Sequence, residues 1–304
     1  MRLVCRYRPD DRDPPSSIDQ FPRRRRNAEE NPRVVAGMPA GTVKPCFIKL
    51  ENRQIMMIRV EQEAGVMHLT IARPDKKNAL TRAMYQALAE AIDQAADDQT
   101  VHAILLAGEG EVFTAGNDLD DFRARATSDD PEPSAGLAFI ERLMVCDTPV
   151  IAAVEGLAIG IGTTLLMHCD YVVAGESAVF RTPFVDLGLC PEAASTVTMP
   201  LHLGFRRAAG LLLMGDSLSG PAALECGLVS KVVADGETTD VALARARDLA
   251  TKPREALRVS KRLLKAPWQE QMLQALNRER EQFDARLRSP DCRQALDSLA
   301  ARRR

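Results

Sequence analysis

The chain has 304 residues, 45% hydrophobic and 27% charged, enough for one large domain with a sizeable core or for two small ones. Its 40 Lys and Arg against 42 Asp and Glu leave a net charge of −2, which gives no overall attraction for nucleic acid. Seven scattered cysteines without a C-x-x-C, and four histidines without an i, i+4 pair, argue against a disulfide scaffold, a thiolate zinc site or a histidine-rich metal centre.

Charge is unevenly distributed. Residues 1–55 hold 12 basic and seven acidic residues and seven of the 18 prolines, a net of +5 that leaves −7 for the remainder. With the run Arg23-Arg24-Arg25-Arg26 and few hydrophobes, this stretch cannot bury enough apolar area to offset its ordering entropy. Its acids argue against a transit peptide, and no apolar core of a secretory signal is present. It reads as a disordered basic extension, as an overlong reading frame whose true start is Met56 or Met57, or as a tail for an anionic partner.

Organised chain begins near Ile58. Val66–Ile71 reads as a strand closed by Arg73-Pro74, because proline cannot continue a ladder. From Thr81, a candidate N-cap, Met84, Leu88, Ala91, Ile92 and Ala95 recur at helical spacing until Asp97-Asp98. Val101–Ala107 is a near-continuous apolar run of the kind buried on both faces of a sheet, so strand, helix and strand form a βαβ crossover. Asp129–Ser134 reads as a polar loop.

Val150–Met167 holds 18 mostly apolar residues, the minimum to span a bilayer, but Glu155 and three glycines interrupt it. A strand (Val150–Val154), a glycine-rich turn and a buried helix account for it better. Tyr171–Ala174 and Ala178–Phe180 are two further short strands, and from Glu237 leucines recur at helical steps to the end. The expected organisation is an extension over 1–55, an α/β core over 56–240 and a C-terminal helical region over 241–304.

Common cofactor signatures fail. Gly160-Ile161-Gly162 would need a third glycine where Leu165 stands, so the dinucleotide fingerprint is incomplete. Gly215-Asp216-Ser217-Leu218 lacks the closing glycine of a nucleophile elbow, and Ser219 or Gly220 before Pro221 reads as a helix cap. What remains is two glycine turns after buried strands, at Phe113–Leu119 and Gly156–Gly162. Each alone is consistent with tight strand–helix packing. Side by side, they could aim two main-chain amides at one oxygen, as an oxyanion hole does.

Together, Asn78-Ala79-Leu80, the F-x-A-G-x-D-L stretch at 113–119, the G-x-A-x-G stretch at 156–160 and Phe180–Glu192 resemble the crotonase (enoyl-CoA hydratase/isomerase) superfamily, nearest its Δ3,Δ2-enoyl-CoA isomerases. The resemblance runs from about residue 57 through Ala223–Val229 and Ala256–Lys261 to the C-terminus. It implies an α/β crotonase-like (ClpP/crotonase) spiral of ββα units with a C-terminal helical region, assembled as a homotrimer or homohexamer. It also implies an acyl-CoA thioester substrate, with coenzyme A part of the substrate and no separate cofactor or metal. The oxyanion amides fall on Asn117 and Ile161. Lys77, Ala79, Ala115, Gly116, Asp118, Leu119 and Gly160 fall on substrate-binding loops. A cytoplasmic protein with no nucleic-acid or membrane partner is expected.

Two glutamates that move water in the hydratases align with Thr164 and Phe184, neither of which can do so. Glu192, after Cys190-Pro191, matches the single glutamate of the isomerases, and a 1,3-proton shift needs only one base. An apolar pocket including Phe184 is expected to raise its pKa towards roughly 6–7. The bland alternative is that Glu192 caps the next helix. Asp118 is expected to fix its own turn, Glu155 to serve a surface or turn role, Lys76 and Lys77 to border the nucleotide, and Trp268 to pack among the C-terminal helices. The functional readings are a 3-enoyl-CoA isomerase of fatty-acid oxidation, a hydratase-like enzyme for another acyl-CoA, and a non-catalytic acyl-CoA-binding scaffold.

Overall fold

The structure is a computed structural model that describes residues 57–128 and 133–301. The expectations for residues 1–55 and for most of the loop at 129–134 lie outside the described residues.

A six-stranded sheet carries the fold, its neighbouring strands in the order Ile58–Glu63, Val66–Ile71, Ala103–Gly108, Val150–Val154, Tyr171–Gly175 and Lys231–Val233. Strands β1 (Ile58–Glu63) and β2 (Val66–Ile71) form an antiparallel hairpin across Ala64 and Gly65, whose φ angles of 50° and 80° suit the turn twist that right-handed strands need. Helix α1 (Arg82–Asp97) crosses from β2 to the parallel strand β3 (Ala103–Gly108), so the expected crossover is present. Thr81 caps α1 by accepting the Met84 N–H, and Met84, Leu88, Ile92 and Ala95 bury one face. Helices α2 (Leu119–Thr127) and α3 (Ala135–Val145) follow, the latter capped by Ser134.

Each of the next two strands of the large sheet turns into a strand of a second sheet, then a helix. Strand β4 (Val150–Val154) leads into β5 (Leu157–Ile159) and the short helix α4 (Ile161–Thr164). Strand β6 (Tyr171–Gly175) leads into β7 (Val179–Arg181) and then α5 (Ser195–Leu203). These are the expected ββα units. The glycine-rich stretch after β4 is therefore more than a turn: Leu157–Ile159 pairs in parallel with β7. After α6 (Phe205–Met214), strand β8 (Ser217–Ser219) completes the small sheet and Ser219 caps α7 (Gly220–Glu225). Strand β9 (Lys231–Val233) closes the large one.

The large sheet is covered on both sides, as its apolar strands require. Ile104 and Leu106 of β3 face the main core with α1 and α3, while Ala103, Leu105 and Ala107 face a second cluster. Helix α8 (Thr238–Ala250) fills that second side with Ala242 and Ala246. The boundary drawn at residue 240 thus falls inside a helix that belongs to the sheet layer. Helices α9 (Arg254–Leu287) and α10 (Pro290–Ala301) follow it.

Glu155, half-buried, takes the turn role that was one of its two expected ones. Its Oε1 accepts from the Gly236 and Thr238 amides and the Thr238 hydroxyl, and so holds the start of α8. Trp268 on α9 departs from expectation, with 42% of its surface exposed. No helix among the described residues is long and apolar enough to cross a membrane.

Candidate active site

Asn78 builds the first glycine turn. The side chain is fully buried, its Oδ1 accepts the Arg73 amide at 2.9 Å, and its Nδ2 donates to the Glu109 and Val112 carbonyls at 3.0 and 2.6 Å. Its own carbonyl accepts the Thr114 hydroxyl at 2.7 Å, and that hydroxyl oxygen in turn accepts the Gly116 amide. Gly116 sits at φ 84° with the Ile159 carbonyl 2.6 Å from where a Cβ would be, so no side chain fits. Asp118 caps α2 through the Asp120 and Asp121 amides, as expected, and also pairs with Arg73 at 2.6 Å.

The second glycine turn lies alongside the first. Thr114 N–H donates to the Leu157 carbonyl and Ile159 N–H donates to the Thr114 carbonyl. The chain then turns at Gly160 into α4. Gly162 takes its identity from crowding, because a Cβ there would sit 2.5 Å from the Thr114 methyl. Leu80 takes the Gly116 carbonyl and the Asp118 amide as its partners, leaving the Asn117 N–H between them with no acceptor among the described residues. Ile161 N–H, at the first position of α4, has none either among the described residues. Both residues face one cavity of about 290 Å³.

Glu192 enters that cavity from the segment between β7 and α5. It is 3% exposed, and its Oε1 accepts the Thr164 hydroxyl at 2.6 Å. It does not cap α5: only its backbone carbonyl reaches the Ser195 amide. Burial pushes its carboxyl up to about 8, with the negative charge of Glu279 adding to the rise and the Thr164 hydroxyl opposing it. This exceeds the expected range because the carboxyl itself is almost completely buried and the charge of Glu279 adds to the effect. Phe184 is buried in the same core.

Two alanines in left-handed conformation follow, Ala193 at φ 63° and Ala194 at φ 56°, each strained by about 1 kcal/mol for a residue with a Cβ. His168 Nε2 lies 2.8 Å from the Ala193 carbonyl, and Glu279 on α9 accepts the Thr196 amide and hydroxyl at the start of α5.

Of the expected site residues, Glu192, Asn117, Ile161 and Asp118 line the cavity. Lys77, Ala79, Ala115, Gly116, Leu119 and Gly160 do not; they lie in the turns that shape it or, for Leu119, at the start of α2, with Lys77 exposed. Several lining residues had no local signal: Tyr85 on α1, Gly136 and Leu137 on α3, Phe122 on α2 and Phe283 on α9. Tyr85 donates its hydroxyl to Asn117 Oδ1 at 2.8 Å, and Phe122 and Phe283 meet edge to face at 5.9 Å. Asp121 also borders the cavity, but its Oδ2 accepts the Arg82 amide at 2.7 Å. No group of three or more metal-ligating side chains occurs among the described residues.

Comparison with known proteins agrees with this construction. The family model described as enoyl-CoA hydratase/isomerase matches residues 61–304. The chain is 36% identical over 248 residues to 1,2-epoxyphenylacetyl-CoA isomerase of Escherichia coli (strain K12), spanning 79% of this chain and 94% of that protein. It is 33% identical over 250 residues to enoyl-CoA delta isomerase 2 of Rattus norvegicus, spanning 81% of this chain and 64% of that protein. The crystal structure of an enoyl-CoA hydratase/isomerase from Pseudoalteromonas atlantica T6c superposes with a TM-score of 0.76 at 37% identity, covering 81% of this chain and 97% of that one. The expected crotonase-like fold is thus present, and the chain belongs to the enoyl-CoA hydratase/isomerase family, whose members act on acyl-CoA thioesters.

Proposed function

We propose that the protein converts 3-enoyl-CoA to 2-enoyl-CoA, with Glu192 as the single acid/base group and the Asn117 and Ile161 amides as the oxyanion hole. The observation that carries the reading is a buried carboxylate, Glu192, sharing a cavity with two amides that have no acceptor among the described residues. Asp118 and Asp121, the other carboxylates at the cavity, are tied to amides or a guanidinium. Thr164 and Phe184 stand where water-handling glutamates would be needed for hydration.

In this reading the carboxylate of Glu192 takes a proton from C2. The electron pair moves into a dienolate whose charge falls largely on the thioester oxygen, held by the two amides. The protonated Glu192 then returns the proton at C4, and the double bond ends in conjugation with the thioester. Removing one donor of such a hole costs about 10²–10³ in rate. Coenzyme A is part of the substrate, and the chemistry draws on no other cofactor.

The test is to supply 3-enoyl-CoA and follow the absorbance of the conjugated thioester. Conversion that Glu192→Gln abolishes supports the reading. Conversion that survives Glu192→Gln overturns the role of Glu192, and hydration of 2-enoyl-CoA in place of isomerisation overturns the reaction.

A further inference from the structure

We propose that Thr164 is a positioning residue for the acid/base carboxylate: its hydroxyl holds Glu192 Oε1 and leaves Oε2 to exchange protons with the substrate. The proposal rests on the isomerase reading for what Glu192 does, and on the geometry for how it is held.

A threonine hydroxyl has one proton to give. Within reach of Thr164 Oγ1 are Glu192 Oε1 at 2.6 Å and the Ile161 carbonyl at 3.5 Å. The carbonyl already accepts the Leu165 amide, and its distance is at the limit for a hydrogen bond. The 2.6 Å contact lies inside the range of an O–H···O hydrogen bond. Both side chains are buried, Thr164 completely.

The same turn of helix performs two tasks. Ile161, the first residue of α4, presents the free amide to the cavity, and Thr164, its last, anchors the carboxylate. The separation between oxyanion donor and proton-transfer group is thereby set within four residues of one rigid element. Two loops joined only by packing would allow more play, and small misplacements of reacting groups are costly in rate.

Thr164 also has an electrostatic task. Glu279 from α9, Tyr85 from α1 and Cys190 from its own segment interact electrostatically with Glu192, and the cavity it lines also holds Asp118, Asp121, Arg82 and Arg125. Burial and Glu279 favour the neutral acid, whereas the Thr164 hydroxyl favours the carboxylate that must act as base. Removing the hydroxyl therefore lowers the fraction of active base at neutral pH.

The experiment compares Thr164→Val, which replaces the hydroxyl with a methyl of similar shape, with Thr164→Ser, which keeps it. In Thr164→Val, kcat for 3-enoyl-CoA is expected to fall about tenfold or more with KM within about twofold, and the acidic limb of the pH profile to move up by about one unit. Thr164→Ser should keep the wild-type limb. The Glu192 carboxyl is also titrated directly by ¹³C NMR, with its signal assigned through Glu192→Gln, and should show the same upward shift. Wild-type kcat and limb in Thr164→Val, or an equal loss in Thr164→Ser, would overturn the proposal. If the wild-type protein fails to isomerise, the functional reading falls, while an unshifted NMR titration in Thr164→Val separately refutes the hold of Thr164 on the carboxyl.

Discussion

His168 Nε2 stands 2.8 Å from the carbonyl oxygen of Ala193, the residue at which the backbone turns left-handed directly after Glu192. Burial holds the His168 pKa down at about 4, so the ring is neutral at working pH and Nε2–H donates to that carbonyl. The bond steadies the strained two-residue turn that directly follows Glu192.

His168→Leu should therefore leave the Ala193 carbonyl unpaired. A loss of about 1–3 kcal/mol in unfolding free energy is expected in urea titration, with a lower kcat. Because the folded pKa lies below the unfolded one, His168 contributes stability above about pH 6.5 that is lost as pH falls through about 4. Acid unfolding of His168→Leu should lack that component. An unchanged acid limb would remove His168 from the account.

Glu192 behaves in the opposite sense. Its carboxyl, pushed up to about 8, binds its proton more tightly in the folded state, so its contribution to stability is present at low pH and is lost as pH rises through about 8. Glu192→Gln should melt close to wild type near pH 5 and several degrees higher near pH 9, by thermal denaturation. In the wild type, kcat/KM should rise with pH to a midpoint near 8, since the base must be ionised. A pH-independent profile from 6 to 9 would contradict this assignment.

Asn78→Ala should disorder the first glycine turn, because it strips partners from the Arg73 amide and from the Glu109 and Val112 carbonyls. A destabilisation of about 2–4 kcal/mol is expected. Activity should fall further than stability explains, since the Asn117 amide is carried by that turn. Circular dichroism melting alongside kcat separates the two effects.

Gly162→Ala places a methyl 2.5 Å from the Thr114 methyl, between the turns that carry the two amides. A fall in kcat of about 10²-fold is expected from misaligned donors. Thr114→Ser in the same chain removes the opposing methyl while keeping the hydroxyl that bridges Asn78 and Gly116, and should restore much of the rate. A double variant no better than Gly162→Ala would mean that crowding is not what the glycine avoids.

What the sequence by itself determined is what local chain physics encodes. Val66–Ile71 and Val150–Val154 announce strands, Thr81 and Ser219 announce caps, and the succession of β2, α1 and β3 announces a parallel crossover. Each depends on side-chain spacing and backbone donors within a few residues. The pairing of the two glycine turns was also within reach, because order and spacing along the chain carry it, while Glu192 entered as a candidate only through the resemblance to the isomerases.

Tertiary structure alone decided the rest. Leu157–Ile159 became a strand only because β7 offered a partner, and Trp268 is left 42% exposed by the described residues. Tyr85 and Phe283 reach the cavity from helices nearly 200 positions apart, and no periodicity records which apolar face meets which. The same holds for Thr164 and Glu192, 28 positions apart, whose 2.6 Å contact arises from folding α4 against the strained turn. Burial then acts on that pair. A carboxyl in water and one enclosed with a single hydroxyl partner differ in proton affinity through desolvation, a property of the enclosure and not of the residue.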